Sequence, residues 1–333
     1  MKKRIVIMMV CLLIIITQTA CGAKEPVSES GFYLDTNCTI TIYGMSEKQG
    51  RAIAKEALSL CQDYDRLLSK TVKGSDVDRI NSAKGSPVEV SDETLSIIKN
   101  SIALSEDSEG AFDITVGRLT DLWDFQSGEG VVPAAEAIQL ALETVDYRQI
   151  KIDGNWISLG NPEAKIDLGG IAKGYISDKV AERLVDKGVS RGIVNLGGNV
   201  VTIGEKEQDT PWSVGIERPY SDRSQTIGVV SAKDKAVVTS GIYERMFVLE
   251  GKTYHHILDP KTGYPVENEV EAVTIVGPRG TAMECDGYST VCLLLGEEQG
   301  RSFIEKKQGV EALFVDKEDK ISKTSGMEFQ QVK

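Results

Sequence analysis

The sequence predicts an α+β fold, with largely antiparallel strands and helices packed against them. Three observations carry this. Amphipathic helical periods fill the chain up to Gly188 and return after Thr281, short β-branched segments crowd together from Gly192 onward, and hairpin signals replace a regular strand–helix alternation. The formal net charge of -12 disfavours nucleic acid as a partner and leaves no basic patch for anionic lipid.

The first twenty residues read as an export signal, not as part of the fold. Lys2, Lys3 and Arg4 precede an apolar run from Ile5 to Ile16, shorter than the roughly 20 residues a membrane span needs. The following QTAC resembles a bacterial lipobox, which makes Cys21 the residue that would carry lipid, although an ordinary secretory signal also fits. The expected location is export with a lipid anchor on the outer face of the cytoplasmic membrane, or its periplasmic side in a two-membrane cell. Residues 21–30 are polar and aperiodic and read as a flexible tether, so one domain is expected over 31–333. Cys38, Cys61, Cys285 and Cys292 lack CxxC spacing and read as buried small apolar residues, with one disulfide left open.

Phe32 to Tyr43 alternates β-branched and polar residues and predicts a first strand. Ser46 caps a long amphipathic helix ending near Ser69, and a second helix follows Ser91 and Asp92, with Leu95, Ile97, Ile98 and Ile102 on its apolar side. Residues 76–91, DVDRINSAKGSPVEVS, read as loop between them. A short helix starts near Thr115, Pro133 stands at the first turn of another, and KIDGNWISL is a hairpin turning at Asp153-Gly154. A helix after DLGG is stopped by Gly188. Strands are predicted in GIVNLGGNVVTIG, WSVGIE, TIGVVSA, AVVTSG, RMFVLEG, YHHIL and EAVTIVG; two helices and two strands close the chain.

Several stretches suit chemistry. In DLGGIAKGY, paired glycines lead into a helix whose first turn holds Lys173, which fits an anion site and equally a tight packing turn; the spacing matches neither a Walker A loop nor GxGxxG. Asp286 and Thr290 lie four residues apart on a helix, so carboxylate and hydroxyl share a face as hard magnesium ligands would, or as a cap and a self-bonded threonine would. Asp113 fits a helix cap, and the strand end near Ser240 fits a pocket wall or a turn. Both histidines sit in YHHILDPKTGYPV. Strand alternation separates His255 from His256, which argues against a shared metal; one of the two faces inward, with Asp259 to orient it in an acid/base pair.

Taken in order, SDVDRIN, GAFDITVGRLTDLW, IDLGGIAKGY, NLGGNV, PWSVGIERP, VVTSGIYER, YHHILDPKTGYPV and CDGYSTVCLLLG resemble the ApbE family of FAD:protein FMN transferases. The resemblance implies an ApbE-like, T-fold-related architecture and a magnesium-dependent enzyme. Such an enzyme transfers the FMN half of FAD to a threonine or serine hydroxyl of a partner flavoprotein, of the redox-complex subunit type, and releases AMP. It further implies that Asp286, Thr290 and the Gly170 carbonyl hold the metal, and that Lys173 contacts the nucleotide. Leu34, Asn81, Asp113 and Ser240 would help hold FAD, and His256 with Asp259 would stand at the reacting phosphate, His256 as the inward-facing base and His255 as its outward neighbour. Asp35 stands where the family often has glycine. Hydrolysis of FAD to FMN and AMP, and flavin binding without catalysis, are the alternatives.

Overall fold

Polar residues on a strand's open side hide a hairpin at the start of the domain. The computed structural model describes residues 25–125, 130–221 and 225–332. In it, Val27–Tyr33 (β1) pairs antiparallel with Thr36–Ile42 (β2). The predicted single strand over 32–43 is therefore two, and the tether is shorter than expected, since residues 27–30 are already strand. On the exposed side Ser28 and Ser30 hydrogen-bond across to Thr41 and Thr39. Leu34 and Asp35 form the two-residue connection, both at φ 56, the left-handed pair that a tight hairpin requires. The expected leader and its Cys21 lie outside the described residues. No helix among the described residues is long and apolar enough to cross a membrane.

The hairpin begins an eight-stranded antiparallel sheet. Its order is β1-β2-β6-β7-β10-β13-β14-β15. The added strands are Gly192–Leu196 (β6), Asn199–Ile203 (β7), Lys235–Gly241 (β10), Val270–Pro278 (β13), Glu311–Asp316 (β14) and Ile321–Lys323 (β15). Both faces are covered, which explains the near-continuous apolar runs of β10 and β13. Ala236 and Val238 enter the main core beneath helices Glu47–Leu68 (α1), Ala172–Asp186 (α6) and Ala282–Ile304 (α7). Val237 faces a second core under a small sheet of Trp212–Glu217 (β8), Thr226–Ala232 (β9) and Gln330–Gln331 (β16). The four described cysteines are buried and free.

Helices Asp92–Asp107 (α3) and Gly117–Trp123 (α4) appear where expected, α3 capped by Ser91. The stretch read as loop differs. It holds a helix, Asp76–Ser82 (α2), capped by Ser75, and a short strand, Val88–Glu89 (β3). Asp76 is the cause: its Oδ2 accepts from Ser91 N, Ser91 Oγ and Thr94 Oγ1, tying α2 to the start of α3 through a contact that local patterning does not reveal. Pro133 precedes the Ala134 cap of Ala135–Leu142 (α5) rather than entering its first turn. The hairpin of Ile150–Asp153 (β4) and Trp156–Leu159 (β5) turns at Gly154-Asn155, one residue later than predicted. Gly188 ends α6 at φ 80, and Gly296, at φ 75, divides α7 into the two expected helices.

A third core of Leu119, Trp123, Ile138, Ala141 and Leu258 joins α4 and α5 to a ribbon of Met246–Leu249 (β11) and Lys252–His255 (β12). Trp123 Nε1 donates to Gly263 O, so the DPKTG turn is pinned to α4. This assembly walls one side of the cleft.

Candidate active site

A cleft of about 540 Å³ opens where the β1–β2 turn, the end of α1, α4, the 167–173 turn, the base of the ribbon and α7 meet. A volume on this scale accommodates a sizeable small-molecule ligand.

At one end sits Asp286, 1% exposed on the second turn of α7. Its Oδ2 accepts from Gly174 N at 2.9 Å, while Oδ1 lies 3.9 Å from Lys173 Nζ. Gly174 is required here because a Cβ would stand 2.1 Å from Ala282 O and 2.7 Å from Asp286 Cβ; only glycine lets α6 approach α7 so closely. One helical turn after Asp286, Thr290 Oγ1 is 3.4 Å from Asp286 O and 3.5 Å from Gly170 O. Asp286, Thr290 and Gly170 are thus brought together across 120 residues of sequence. Their donors are one carboxylate, one hydroxyl and one carbonyl, all hard oxygens, a set that fits magnesium completed by solvent or phosphate. Among the described residues no group of three or more His, Cys, Asp or Glu is arranged for a metal.

His256 and Lys173 line the same cleft. His256 lies just past the end of β12, and its Nδ1 is 3.3 Å from Arg245 O. A carbonyl can only accept, so Nδ1 carries the proton and Nε2 keeps its lone pair. Burial, then the nearby Arg245, Lys173 and His255, pushes the imidazole down to about 3. The ring is neutral, and stays so far into acid. His255 is not the outward neighbour. It is 5% exposed, with Nε2 3.1 Å from Val266 O, and burial lowers it to about 4. The chain after β12 folds back through the Leu258–Pro265 bridge and covers it.

Asp259 does not orient His256. Its Oδ1 accepts from Lys261 N at 2.8 Å and stabilises its own turn, and the residue does not line the cleft. Asn81 is also outside the cleft. Its amide clamps Ile166 from both sides, donating to O at 2.9 Å and accepting from N at 2.7 Å, so it fixes the irregular segment that leads to Gly170. Asp113 borders the cleft, but its oxygens accept from Thr115 N, Thr115 Oγ1 and Tyr147 N, and burial raises its carboxyl despite these bonds. It caps no helix, since Val116 is the N-cap of α4 and has no side-chain cap bond; Asp113 instead closes its own turn and ties it to Tyr147. Leu34 and Ser240 do line the cleft, Ser240 Oγ lying 2.7 Å from Ser289 Oγ.

Sequence reasoning missed Lys70, Thr120, Asp121, Asp167 and Arg245, all on the cleft wall. Asp121 and Asp167 stand in the quoted motifs GRLTDLW and IDLGG, and a carboxylate there with no cap to make was the available signal. Lys70 follows the helix-ending Ser69 and carries no pattern of its own.

Residues 34–314 match the model of the ApbE family. The FAD:protein FMN transferase of Treponema pallidum is 31% identical over 329 residues, spanning 92% of this chain and 90% of its own. That of Klebsiella pneumoniae is 36% identical over 269 residues, with 80% and 83% covered. Among solved structures, the ApbE protein of Thermotoga maritima superposes with a TM-score of 0.83 at 34% identity, covering 90% of this chain and 97% of the other. The flavin transferase ApbE of Vibrio cholerae gives 0.79 at 31% identity, with 90% and 97% covered.

Proposed function

The chain belongs to the ApbE family, and from that premise we propose that it transfers the FMN moiety of FAD to a serine or threonine hydroxyl of an acceptor flavoprotein, releasing AMP. The observation that carries this reading is the convergence at one end of the cleft of Asp286, Thr290, the Gly170 carbonyl, Lys173 and His256. Phosphoryl transfer is mostly positioning and neutralisation of charge, and these groups supply both.

Asp286, Thr290 and the Gly170 carbonyl would hold magnesium, which when bound neutralises charge on the pyrophosphate. Lys173 adds a second positive charge in the first turn of α6. Among the cleft-lining residues, Leu34 offers an apolar side chain and Ser240 a hydroxyl. The acceptor oxygen bonds to the phosphorus of the FMN half, the bond from that phosphorus to the AMP phosphate oxygen breaks, and the hydroxyl proton passes to His256 Nε2. With Nδ1 anchored on Arg245 O, Nε2 keeps its lone pair for that proton. The chain is expected to act outside the cytoplasm, held to the membrane by lipid on Cys21.

The test is chromatographic detection of AMP from FAD with magnesium, with and without chelator. The wild type should release AMP only with metal, and Asp286→Ala should lose at least a hundredfold. Undiminished release by Asp286→Ala would sink the metal assignment. Free FMN in place of protein-bound FMN, with every acceptor tried, would make hydrolysis the main activity.

A further inference from the structure

A lysine in a nucleotide cleft is ordinarily read as a phosphate grip, and Lys70 does not fit that reading. It stands just beyond α1, with its side chain 18% exposed. An ammonium has three N–H donors, and Lys70 Nζ has three oxygens within reach: Thr120 Oγ1 at 2.6 Å, Asp121 Oδ1 at 2.9 Å and Asp167 Oδ2 at 3.1 Å. None remains for a ligand, and two carboxylates already balance the charge, with Lys165 Nζ on Asp121 Oδ2 at 2.7 Å.

The consequence falls on Asp167. Its Oδ2 accepts from Thr120 Oγ1 at 2.8 Å beside Lys70, and its Oδ1 accepts from Gly169 N at 2.8 Å. Three donors thus fix the carboxylate, which lines the cleft three residues before Gly170. A carboxylate has about four acceptor directions, so one stays open to a donor on the ligand. Burial alone would push this carboxyl up, but Lys70 with the Gly169 and Thr120 bonds holds it below the usual carboxylate range.

We propose that Lys70 is a positioning residue for nucleotide binding: by joining α1, α4 and the 167–170 turn through one ammonium, it holds Asp167 charged and aimed at a hydroxyl or amino group of the bound nucleotide. This rests on the reading that the cleft binds FAD. Lys70 acts through Asp167 and does not touch the substrate.

The test is a double-mutant cycle on FAD affinity, measured by fluorescence titration with magnesium on wild type, Lys70→Met, Asp167→Asn and the double variant. Lys70→Met should weaken FAD about tenfold. It should leave turnover of bound FAD within about threefold, and Lys70→Arg should recover most of the affinity. In the Asp167→Asn background, Lys70→Met should cost under about threefold, because its route to the ligand is already gone. Equal loss in both backgrounds would overturn the proposal and make Lys70 a direct ligand. Loss of melting temperature without loss of affinity would overturn it as merely structural. A wild type that does not bind FAD would instead remove the underlying reading, and the proposal with it.

Discussion

Replacing Gly174 with alanine perturbs the Asp286 end of the cleft without removing any polar group. The added methyl would stand 2.1 Å from Ala282 O, more than 1 Å inside van der Waals contact, and the obstacle is backbone on another helix. Relief requires α7 to move away from α6 by about that distance. Overpacking of this kind costs about 1–3 kcal/mol. The same movement breaks the bond from Gly174 N to the Asp286 carboxylate, and a bond to a charged group contributes roughly 1.5–3 kcal/mol. The combined loss is about 3–5 kcal/mol, a fall in melting temperature on the order of 10 °C for a chain of this size. Asp286 would also leave the oxygens of Gly170 and Thr290, so metal-dependent AMP release should fall at least tenfold. Thermal unfolding by circular dichroism and the AMP assay read the two effects separately. A variant with wild-type melting temperature and activity would refute the close-approach argument and the placement of Asp286 that depends on it.

Acid sensitivity follows from the two histidines. Both are held below the unfolded value near 6.5, at about 4 and about 3, so the folded state binds fewer protons; the stability they confer is complete above 6.5 and lost as pH falls toward 4. His255→Asn should flatten that fall in urea unfolding series, and an unchanged slope would count against it. Asp178 has the opposite sign. Burial pushes its carboxyl up to about 6, and Oδ1 is buried without a hydrogen-bond partner, so its ionisation costs stability as pH rises through 6. Asp178→Asn should raise the melting temperature more at pH 8 than at pH 5, and an equal change at both would contradict this. Asn81→Ala removes both bonds to Ile166 and should destabilise by about 1–3 kcal/mol in urea unfolding, while FAD binding persists in the fraction that remains folded. Abolished binding in fully folded variant would place Asn81 on the ligand after all.

The sequence made the fold class and most elements legible because helical and strand periods are local. What escaped depended on distant partners. The α2 helix is stabilised by Asp76 reaching Ser91 and Thr94, and β1 by serines facing threonines across a hairpin, so neither shows in its own window. At the site, motif order was enough to expect Asp286, Thr290, Gly170 and Lys173 to meet, and they do. Sequence proximity misled at Asp259, whose carboxylate serves the turn it belongs to; at Asn81 the resemblance implied a contact with FAD, and the amide instead braces Ile166 from outside the cleft. Strand alternation separated His255 from His256 correctly but could not say which would be covered, because that depends on the chain returning through Pro265 and Val266. Lys70 was invisible for the same reason. Its three partners come from α4 and the 167–170 turn, about 50 and 97 residues away.

The most direct measurement of the central claim is the intact mass of a candidate acceptor flavoprotein after incubation with the purified protein, FAD and magnesium. An added FMN on one serine or threonine is expected, with AMP released in equal amount, and no adduct with Asp286→Ala. AMP and free FMN without any adduct, across acceptors that other members of the family modify, would contradict transfer as the function.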